Sequence, residues 1–507
     1  MSRRTKRLMI WATLAFALVL AARFTDCSPA LLWSRSGHLT DILAEMFPPD
    51  WGYFPRVLAP LWATVQMSVT GTALGAFFAL LAAPLCAGVL PGRPWLRRGL
   101  RAGVQILRSF PALILALTAT FFFGLGTFAG TAAITVYTFA IMTRLTYDDI
   151  ETAPLQAYQA LTAMGAGPYR AFFRAALPYV APGYLSNALY MLETNVRHSA
   201  ILGYVGAGGV GLVLNEKISW REYSRAGAVL LALFAAVCAI EALSTALTAV
   251  VTGRRPVGRR GRRALAACLG ALFVLCTATV EGPDFSRTSL VTVKNMLLGL
   301  VRPDWAFFFQ TGPGGLGYLL LETVCIALVG TAVGALIALP LALLGTTRLA
   351  PGPVALVFRL LVMAVRSVPF LVYGLIFIRA TGPGPFTGVL TIAVCSVGLI
   401  TKRFTEAIDA LDLRAYRALA DMGVGPVLRV RHALLPQLGP AFASAALYRF
   451  DVNIREASVL GLVGAGGIGA PLIFAMNQYA WPQAGAIAIG LVLLVLVIDL
   501  VSARLRQ

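Results

Sequence analysis

Two arginines at matching positions are the residues of this chain best suited to bind an anion. Arg108 and Arg366 are separated by 366 − 108 = 258 positions, and each stands beside a long apolar run. The run after Arg366 is too short to span a bilayer alone, which predicts that Arg366 lies inside the membrane in a continuous helix. Such an arginine is costly and usually faces a cavity or a partner, and guanidinium groups bind phosphate-like oxyanions through paired hydrogen bonds. The pair favours an anion pathway, although Arg108 alone could anchor the end of a span. The following serines could add ligands or bond their own helix: Ser109 and Ser367.

A second pair of arginines has a structural alternative. Arg197 and Arg455 are also 258 positions apart (455 − 197 = 258), and each follows an acid by four residues, Glu193 and Asp451. This spacing suits an intrahelical ion pair, which is as well supported as a substrate contact. Two asparagines would add neutral donors to an oxyanion or to neighbouring helices: Asn195 and Asn453.

The residue types needed for bond chemistry are scattered along the chain. The histidines form no ligand pair, and the cysteines have no C-x-x-C spacing and read as small buried hydrophobes. Neither a metal site nor a nucleophile is indicated. The residues concerned are His38, His198, His432, Cys27, Cys86, Cys238, Cys268, Cys276, Cys325 and Cys395.

Two glycine clusters, GAGGVG and GAGGIG, are not phosphate-binding loops, because no lysine of the chain follows a glycine. The chain is therefore not expected to hydrolyse ATP or to be an enzyme. The clusters predict either a tight re-entrant turn that is buried or lines a cavity, or close packing of the backbone. Their glycines are Gly206, Gly208, Gly209, Gly464, Gly466 and Gly467.

The second arginine pair, the asparagines and the glycine clusters belong to a sequence that the chain contains twice. Residues 158–211 and 416–469 align without a gap at the same offset of 258 (416 − 158 = 258). A register kept over that length is not a product of chance. We interpret the chain as two repeats, residues 1–252 and 264–507, joined by a basic linker at 253–263.

Composition identifies the class of protein. Of the 507 residues 58% are hydrophobic and 13% are charged, with a mean hydropathy of +0.78, which indicates a polytopic membrane protein. The net charge of +20 could suggest nucleic-acid binding in a soluble protein. Here arginines cluster between apolar runs, as in positively charged cytoplasmic loops near anionic lipid.

The apolar runs predict six spans in each repeat and twelve in all. Because six is even, the halves share one orientation, with both termini cytoplasmic and a pseudo-two-fold axis along the membrane normal. The first run could be a cleaved signal peptide, but its mid-chain counterpart favours an anchor. The spans are expected near 8–22, 63–85, 104–125, 129–150, 172–200 and 223–250, and near 265–280, 322–344, 360–378, 386–408, 430–458 and 480–503.

A segment between the fourth and fifth spans of each repeat predicts a helix, a glycine turn and a second helix: LQAYQALTAMGAGPYRAFFRAALP and LRAYRALADMGVGPVLRVRHALLP. The spacing A-L-x-x-x-G followed by L-P resembles the EAA loop of ABC-importer permeases, which implies a coupling helix that fits a groove on a cytoplasmic ATPase subunit. The family's leading glutamate is replaced by Gln159 and Arg417, so the two contacts are expected to differ. The other matching residues are Ala160, Leu161, Gly165, Ala418, Leu419 and Gly423.

The residues that follow narrow the family. YMLETNVRHSAILGYVGAGGVG and YRFDVNIREASVLGLVGAGGIG are similar to the signature of phosphonate-type importer permeases, which handle phosphonate, phosphate or phosphite. The resemblance covers nearly the whole chain as two fused copies. It implies an all-α polytopic membrane protein with the type I ABC-importer (MetI-like) permease fold in a bacterial cytoplasmic (inner) membrane. It also implies an extracytoplasmic substrate-binding protein and two ATPase subunits that carry ATP and Mg²⁺, with no cofactor on this chain.

Three other functions have less support. A secondary transporter needs intramembrane acids for ion coupling, whereas the acids here lie mostly at span ends or opposite arginines. A membrane-embedded enzyme needs a nucleophile, base or metal cluster. Among importers, a permease for methionine or another amino acid is the nearest alternative, because EAA loops and glycine-rich helix ends are shared there.

Overall fold

The computed structural model describes residues 3–254, 258–283 and 290–505, and within these ranges the chain is helical and contains no strand. Residues 255–257 of the predicted linker lie outside the described residues, and a helix begins within the rest of it at Arg259. The first twelve helices are α1 Arg3–Phe24, α2 Pro29–Ser34, α3 Ser36–Glu45, α4 Phe54–Ala87, α5 Pro94–Ser109, α6 Ala112–Phe123, α7 Thr127–Thr152, α8 Gln156–Ala163, α9 Pro168–Ala171, α10 Leu177–Leu202, α11 Val210–Ser219 and α12 Tyr223–Val251. The others are α13 Arg259–Thr279, α14 Leu290–Val301, α15 Trp305–Phe308, α16 Leu316–Gly345, α17 Gly352–Ser367, α18 Phe370–Thr381, α19 Pro385–Ala410, α20 Arg414–Asp421, α21 Pro426–Arg429, α22 Leu435–Leu460, α23 Gly469–Asn477 and α24 Trp481–Leu505.

The described residues include seven helices that are long and apolar enough to cross a membrane, or nine if each of two bent helix pairs is one span. The seven are α4, α7, α12, α13, α16, α19 and α24. Three helices at predicted spans, α1, α10 and α22, do not meet this criterion, and α22 carries four charged side chains. The protein is a multi-pass membrane protein, and the count of twelve (9 + 3) remains a prediction.

The third predicted span of each repeat, near 104–125 or 360–378, is a bent helix pair and not one continuous helix. The axes of α5 and α6 meet at 94°, and those of α17 and α18 meet at 85°. The cause is a proline at each break, Pro111 and Pro369, which forces the residue before it into an extended conformation. The helix before each break, α5 or α17, is amphipathic.

The chain forms two compact units, each of which includes a segment of the other sequence repeat. The first unit is Leu43–Asn295, and the second unit combines Met1–Ile42 with Met296–Gln507. In the second unit α1 packs on α16, and the ring centroids of Phe24 and Tyr318 are 5.0 Å apart. In the first unit α13 packs on α4. The boundaries of the compact units therefore differ from those of the sequence repeats.

Small residues allow the central helices of each unit to approach closely. A Cβ atom added to Gly71 of α4 would lie 2.7 Å from Ile134 Cγ2 on α7, and one added to Gly75 would lie 2.6 Å from the Thr135 carbonyl oxygen. Gly330 and Gly334 of α16 make the equivalent contacts with α19. In both units the GxxxG spacing thus brings the backbone of one helix against side-chain and backbone atoms of the neighbouring helix.

Candidate functional site

In each unit one buried asparagine connects three helices through hydrogen bonds. The Asn195 amide on α10 donates to Thr72 Oγ1 on α4 at 2.8 Å and to Thr138 Oγ1 on α7 at 2.7 Å. In the second unit the Asn453 amide donates to Thr331 Oγ1 at 2.6 Å. It also donates to Ser396 Oγ at 2.8 Å. Both asparagines are fully buried, so in this structure their amides serve the helix contacts that the sequence had left as one alternative.

The predicted ion pairs on α10 and α22 are present. Arg197 Nη1 lies 2.9 Å from Glu193 Oε1, and Arg455 Nη2 lies 2.8 Å from Asp451 Oδ2. All four side chains are largely withdrawn from solvent, where an unpaired charge would be costly. Pairing accounts for the acids, and contact of the arginines with a substrate remains a prediction.

The remaining predicted arginines stand at the bends. Arg108 and Arg366 occupy the last turns of α5 and α17, immediately before the breaks described above. Arg366 therefore does not lie within a continuous helix, whereas for Arg108 the sequence had already left open a position at the end of a span. The neighbouring serines are buried and donate to their own helices, Ser109 to the Gln105 carbonyl at 2.9 Å and Ser367 to the Ala364 carbonyl at 2.7 Å.

The glycine clusters form tight turns that lead into α11 and α23. Their six glycines all have φ between +76° and +81°, a region that strains other residues: Gly206, Gly208, Gly209, Gly464, Gly466 and Gly467. The Gly206 carbonyl accepts the Gly126 N–H at 3.0 Å, and Gly464 accepts from Gly384 at the same distance. Each turn is therefore held by the segment between the bent pair and the next long helix. A gating role for the glycines remains a prediction.

The segments that resemble EAA loops are short exposed helices, α8 and α20. Each ends at a left-handed glycine, Gly165 (φ +85°) or Gly423 (φ +75°). The methionine before each glycine, Met164 or Met422, is 75% exposed. Gln159, Ala160, Arg417 and Ala418 are also exposed, whereas Leu161 and Leu419 are half-buried. Each unit thus presents a short helix with an apolar tip, suited to docking a partner.

One buried ion pair was missed because it occurs in only one repeat. On α22, Arg449 Nη1 lies 3.1 Å from Glu456 Oε1 and Nη2 lies 2.6 Å from Oε2. The positions 258 residues earlier hold Met191 and His198. A comparison of charges shared by the two repeats does not detect such a pair. The spacing could have predicted it, because Glu456 is seven residues after Arg449 and so lies two turns along the same helix face.

Comparison with known proteins agrees with these features. The family of binding-protein-dependent transport system inner membrane components matches residues 54–255 and 330–507. A phosphate-import permease protein, PhnE, of Mycolicibacterium smegmatis is 29% identical over 97% of this chain and 93% of its own length. The phosphite transport system permease protein PtxC of Stutzerimonas stutzeri is 37% identical over 37% of this chain and 69% of its own length. Among solved structures, an inward-facing form of the MetNI methionine ABC transporter covers 40% of this chain and 99% of its own, at 26% identity and a TM-score of 0.37.

The family match covers most of both repeats and includes α8, α20 and the glycine turns. Members of such systems are transport components that work with an ATPase and a substrate-binding protein, and they are not enzymes. The two exposed helices and the membrane-spanning character of the chain fit that role. This chain belongs to the family of binding-protein-dependent transport system inner membrane components.

Proposed function

We propose that this chain is the transmembrane subunit of an ATP-driven ABC importer that carries phosphonate or a related phosphorus oxyanion, phosphate or phosphite, into the cytoplasm. The observation that carries the proposal is the duplicated exposed helix, α8 and α20, with its methionine tip in both units. The substrate class is supported by the relatives, whose names specify phosphate and phosphite. The chain itself makes and breaks no bonds in this scheme.

Two ATPase subunits would dock on the segments at 155–168 and 413–426, one in each unit. ATP and Mg²⁺ would be bound by those subunits, and a binding protein would deliver the substrate on the opposite side of the membrane. The arginine-rich segments favour a cytoplasmic position for α8, α20 and both termini in a bacterial inner membrane. Because each unit offers one docking helix, a single chain would take the place of a permease dimer.

Arginines would supply the anion selectivity. Arg108 and Arg366 end helices at the bends, where the backbone turns away from its axis. Arg197 and Arg455 are held by acids and keep their guanidinium groups in defined positions. A planar guanidinium binds a phosphorus oxyanion through paired donors. We assign these four arginines to the substrate pathway on this basis.

The experiment is an ATPase assay of the chain with its ATPase and binding protein in lipid nanodiscs. Phosphonate, phosphate, phosphite and methionine are compared with wild-type chain, with Arg366→Ala and with the control Arg403→Ala, an exposed arginine in a surface ion pair. We expect stimulation by a phosphorus oxyanion, lost in Arg366→Ala and kept in Arg403→Ala. Stimulation by methionine alone would overturn the substrate class, and an unaffected Arg366→Ala would remove the arginine from the pathway.

A further inference from the structure

An arginine on α5 bridges the ends of two long helices in the first unit. Arg101 Nε donates to the Cys86 carbonyl at 2.7 Å, and its guanidinium forms an ion pair with Glu151. Cys86 is in the last turn of α4, and Glu151 is in the last turn of α7. One side chain therefore joins three helices at the same end of the unit.

The second unit repeats this arrangement. Arg359 Nε donates to the Gly345 carbonyl at 2.7 Å, and its Nη2 lies 3.6 Å from Asp409 Oδ2. Gly345 ends α16 and Asp409 is in the last turn of α19. The arginines and the acids are related by the same repeat offset (359 − 101 = 258 and 409 − 151 = 258). The arginine–acid contact thus recurs in both units, and each arginine also binds a carbonyl in the last turn of a long helix, which argues against a chance surface pair.

Helix electrostatics explain why an arginine stands there. The last carbonyls of a helix have no intrahelical partner, and the negative end of the helix dipole disfavours an acid in the last turn. The arginine satisfies one such carbonyl and compensates the acid. Its side chain is 34% exposed in the first unit and 47% exposed in the second, so the pair adds little to the free energy of unfolding. Its contribution is to fix the relative position of the elements.

Those elements connect the docking helices with the bends. Glu151 precedes the start of α8 by five residues (156 − 151 = 5), and Asp409 precedes α20 by five (414 − 409 = 5). On the other side, α5 and α17 lead directly into the bends and carry Arg108 and Arg366 in their last turns. In the first unit the Tyr158 hydroxyl of α8 also donates to the Val89 carbonyl beyond α4, at 3.0 Å.

We propose that Arg101 and Arg359 are positioning residues that transmit movement of α8 and α20 to the bent helix pairs α5–α6 and α17–α18. The proposal rests on the proposed function, in that it takes α8 and α20 to be the sites of ATPase docking. Movement of a docking helix pulls on the end of α7 or α19, and the arginine carries that displacement to the helix that ends at the bend. Neither arginine contacts substrate or ATP in this scheme.

The first unit holds its arginine more firmly. The Arg101 guanidinium lies 5.0 Å from the centroid of the Tyr147 ring, a favourable cation–π distance. The corresponding position in the second unit is Thr405 (405 − 147 = 258), which has no ring. We therefore expect loss of Arg101 to impair coupling more than loss of Arg359.

The test measures ATP hydrolysed per substrate imported by the complete complex in proteoliposomes. The variants are Arg101→Ala, Arg359→Ala, the double variant and the control Arg98→Ala, an exposed arginine on the same helix. We expect the ratio to rise about fivefold in the double variant, within the usual range of coupling between sites, with Arg101→Ala the stronger single change. Arg101→Lys, which keeps the charge but lacks the planar guanidinium, should retain part of the coupling, and Arg98→Ala should match wild type.

Glu151→Gln and Asp409→Asn provide a second route if the alanine variants fail to fold, because they remove the ion pair and leave the arginine in place. The proposal is overturned if the ratio of ATP hydrolysed to substrate imported stays at the wild-type value in Arg101→Ala/Arg359→Ala or in Glu151→Gln/Asp409→Asn. The variant must retain the ATPase as well as wild type does. Failure of the wild-type chain to retain the ATPase at all would instead reject the proposed function.

Discussion

Thr64 and Val210 connect the first long helix to the glycine turn. The Val210 backbone N–H donates to Thr64 Oγ1 at 2.8 Å, which caps the first turn of α11 from outside the helix. In the second unit the Ile468 N–H donates to Thr323 Oγ1 at 3.0 Å. The partner hydroxyl is displaced by one residue along α16, since the position of Thr64 corresponds to Glu322 (322 − 64 = 258). In both units a threonine hydroxyl therefore holds the turn, but the two threonines are at non-equivalent positions of the repeat.

Gly209→Ala tests how tightly that turn is packed. Gly209 has φ +79°, and an added Cβ would lie 2.7 Å from Thr64 Oγ1. The left-handed backbone should cost about 1–2 kcal/mol, and the steric clash should cost about 1–3 kcal/mol more. Gly253→Ala is the matched control, because Gly253 has φ +76° with nothing within 4 Å of an added Cβ. Thermal unfolding in detergent should show the larger loss for Gly209→Ala, and equal losses would mean that Thr64 moves aside freely.

Gly75→Ala should destabilise the α4–α7 contact. The added methyl group would meet the Thr135 carbonyl oxygen at 2.6 Å, and a backbone atom cannot rotate away, so we expect a loss of about 1–3 kcal/mol. Gly99→Ala in α5 should have the opposite sign. Gly99 is exposed with open space around it, and alanine gains about 0.5–1 kcal/mol in a helix. Unfolding temperatures of the two variants relative to wild type measure this contrast.

The buried Arg449–Glu456 pair predicts a strong difference between single and double changes. Glu456→Ala leaves a largely buried guanidinium without its acid and should destabilise the chain by about 3–5 kcal/mol. The double change Arg449→Met with Glu456→His installs the residues that the first repeat has at these positions, Met191 and His198. It removes both charges together and should cost much less. A double variant as unstable as Glu456→Ala would show that the pair is required for packing itself.

The repeat, the helical class and the short helices α8 and α20 could be predicted from sequence because they depend on local spacing that recurs at one offset. The ion pairs of Arg197 and Arg455 followed from a separation of four residues on a helix. The bends at Pro111 and Pro369 were missed, because apolar residues on both sides of each proline give the composition of a continuous span. The contacts of Asn195 and Arg101 join helices far apart in the chain, and their partners emerge only from tertiary packing.

Met164→Glu and Met422→Glu test the docking surfaces directly. Both methionines are 75% exposed, so a charged replacement should leave the fold intact, whereas an apolar groove on a partner would have to desolvate the new carboxylate. We expect each variant of the affinity-tagged chain to retain about tenfold less ATPase, which corresponds to about 1.4 kcal/mol. The double variant should retain almost none. Trp220→Glu is the control, because Trp220 is 76% exposed but lies beyond α11, away from α8 in the chain.

Because Gln159 and Arg417 differ in charge, unequal losses from the two single variants would show that the two ATPase contacts are not equivalent. Full retention by the double variant would place the docking surface elsewhere.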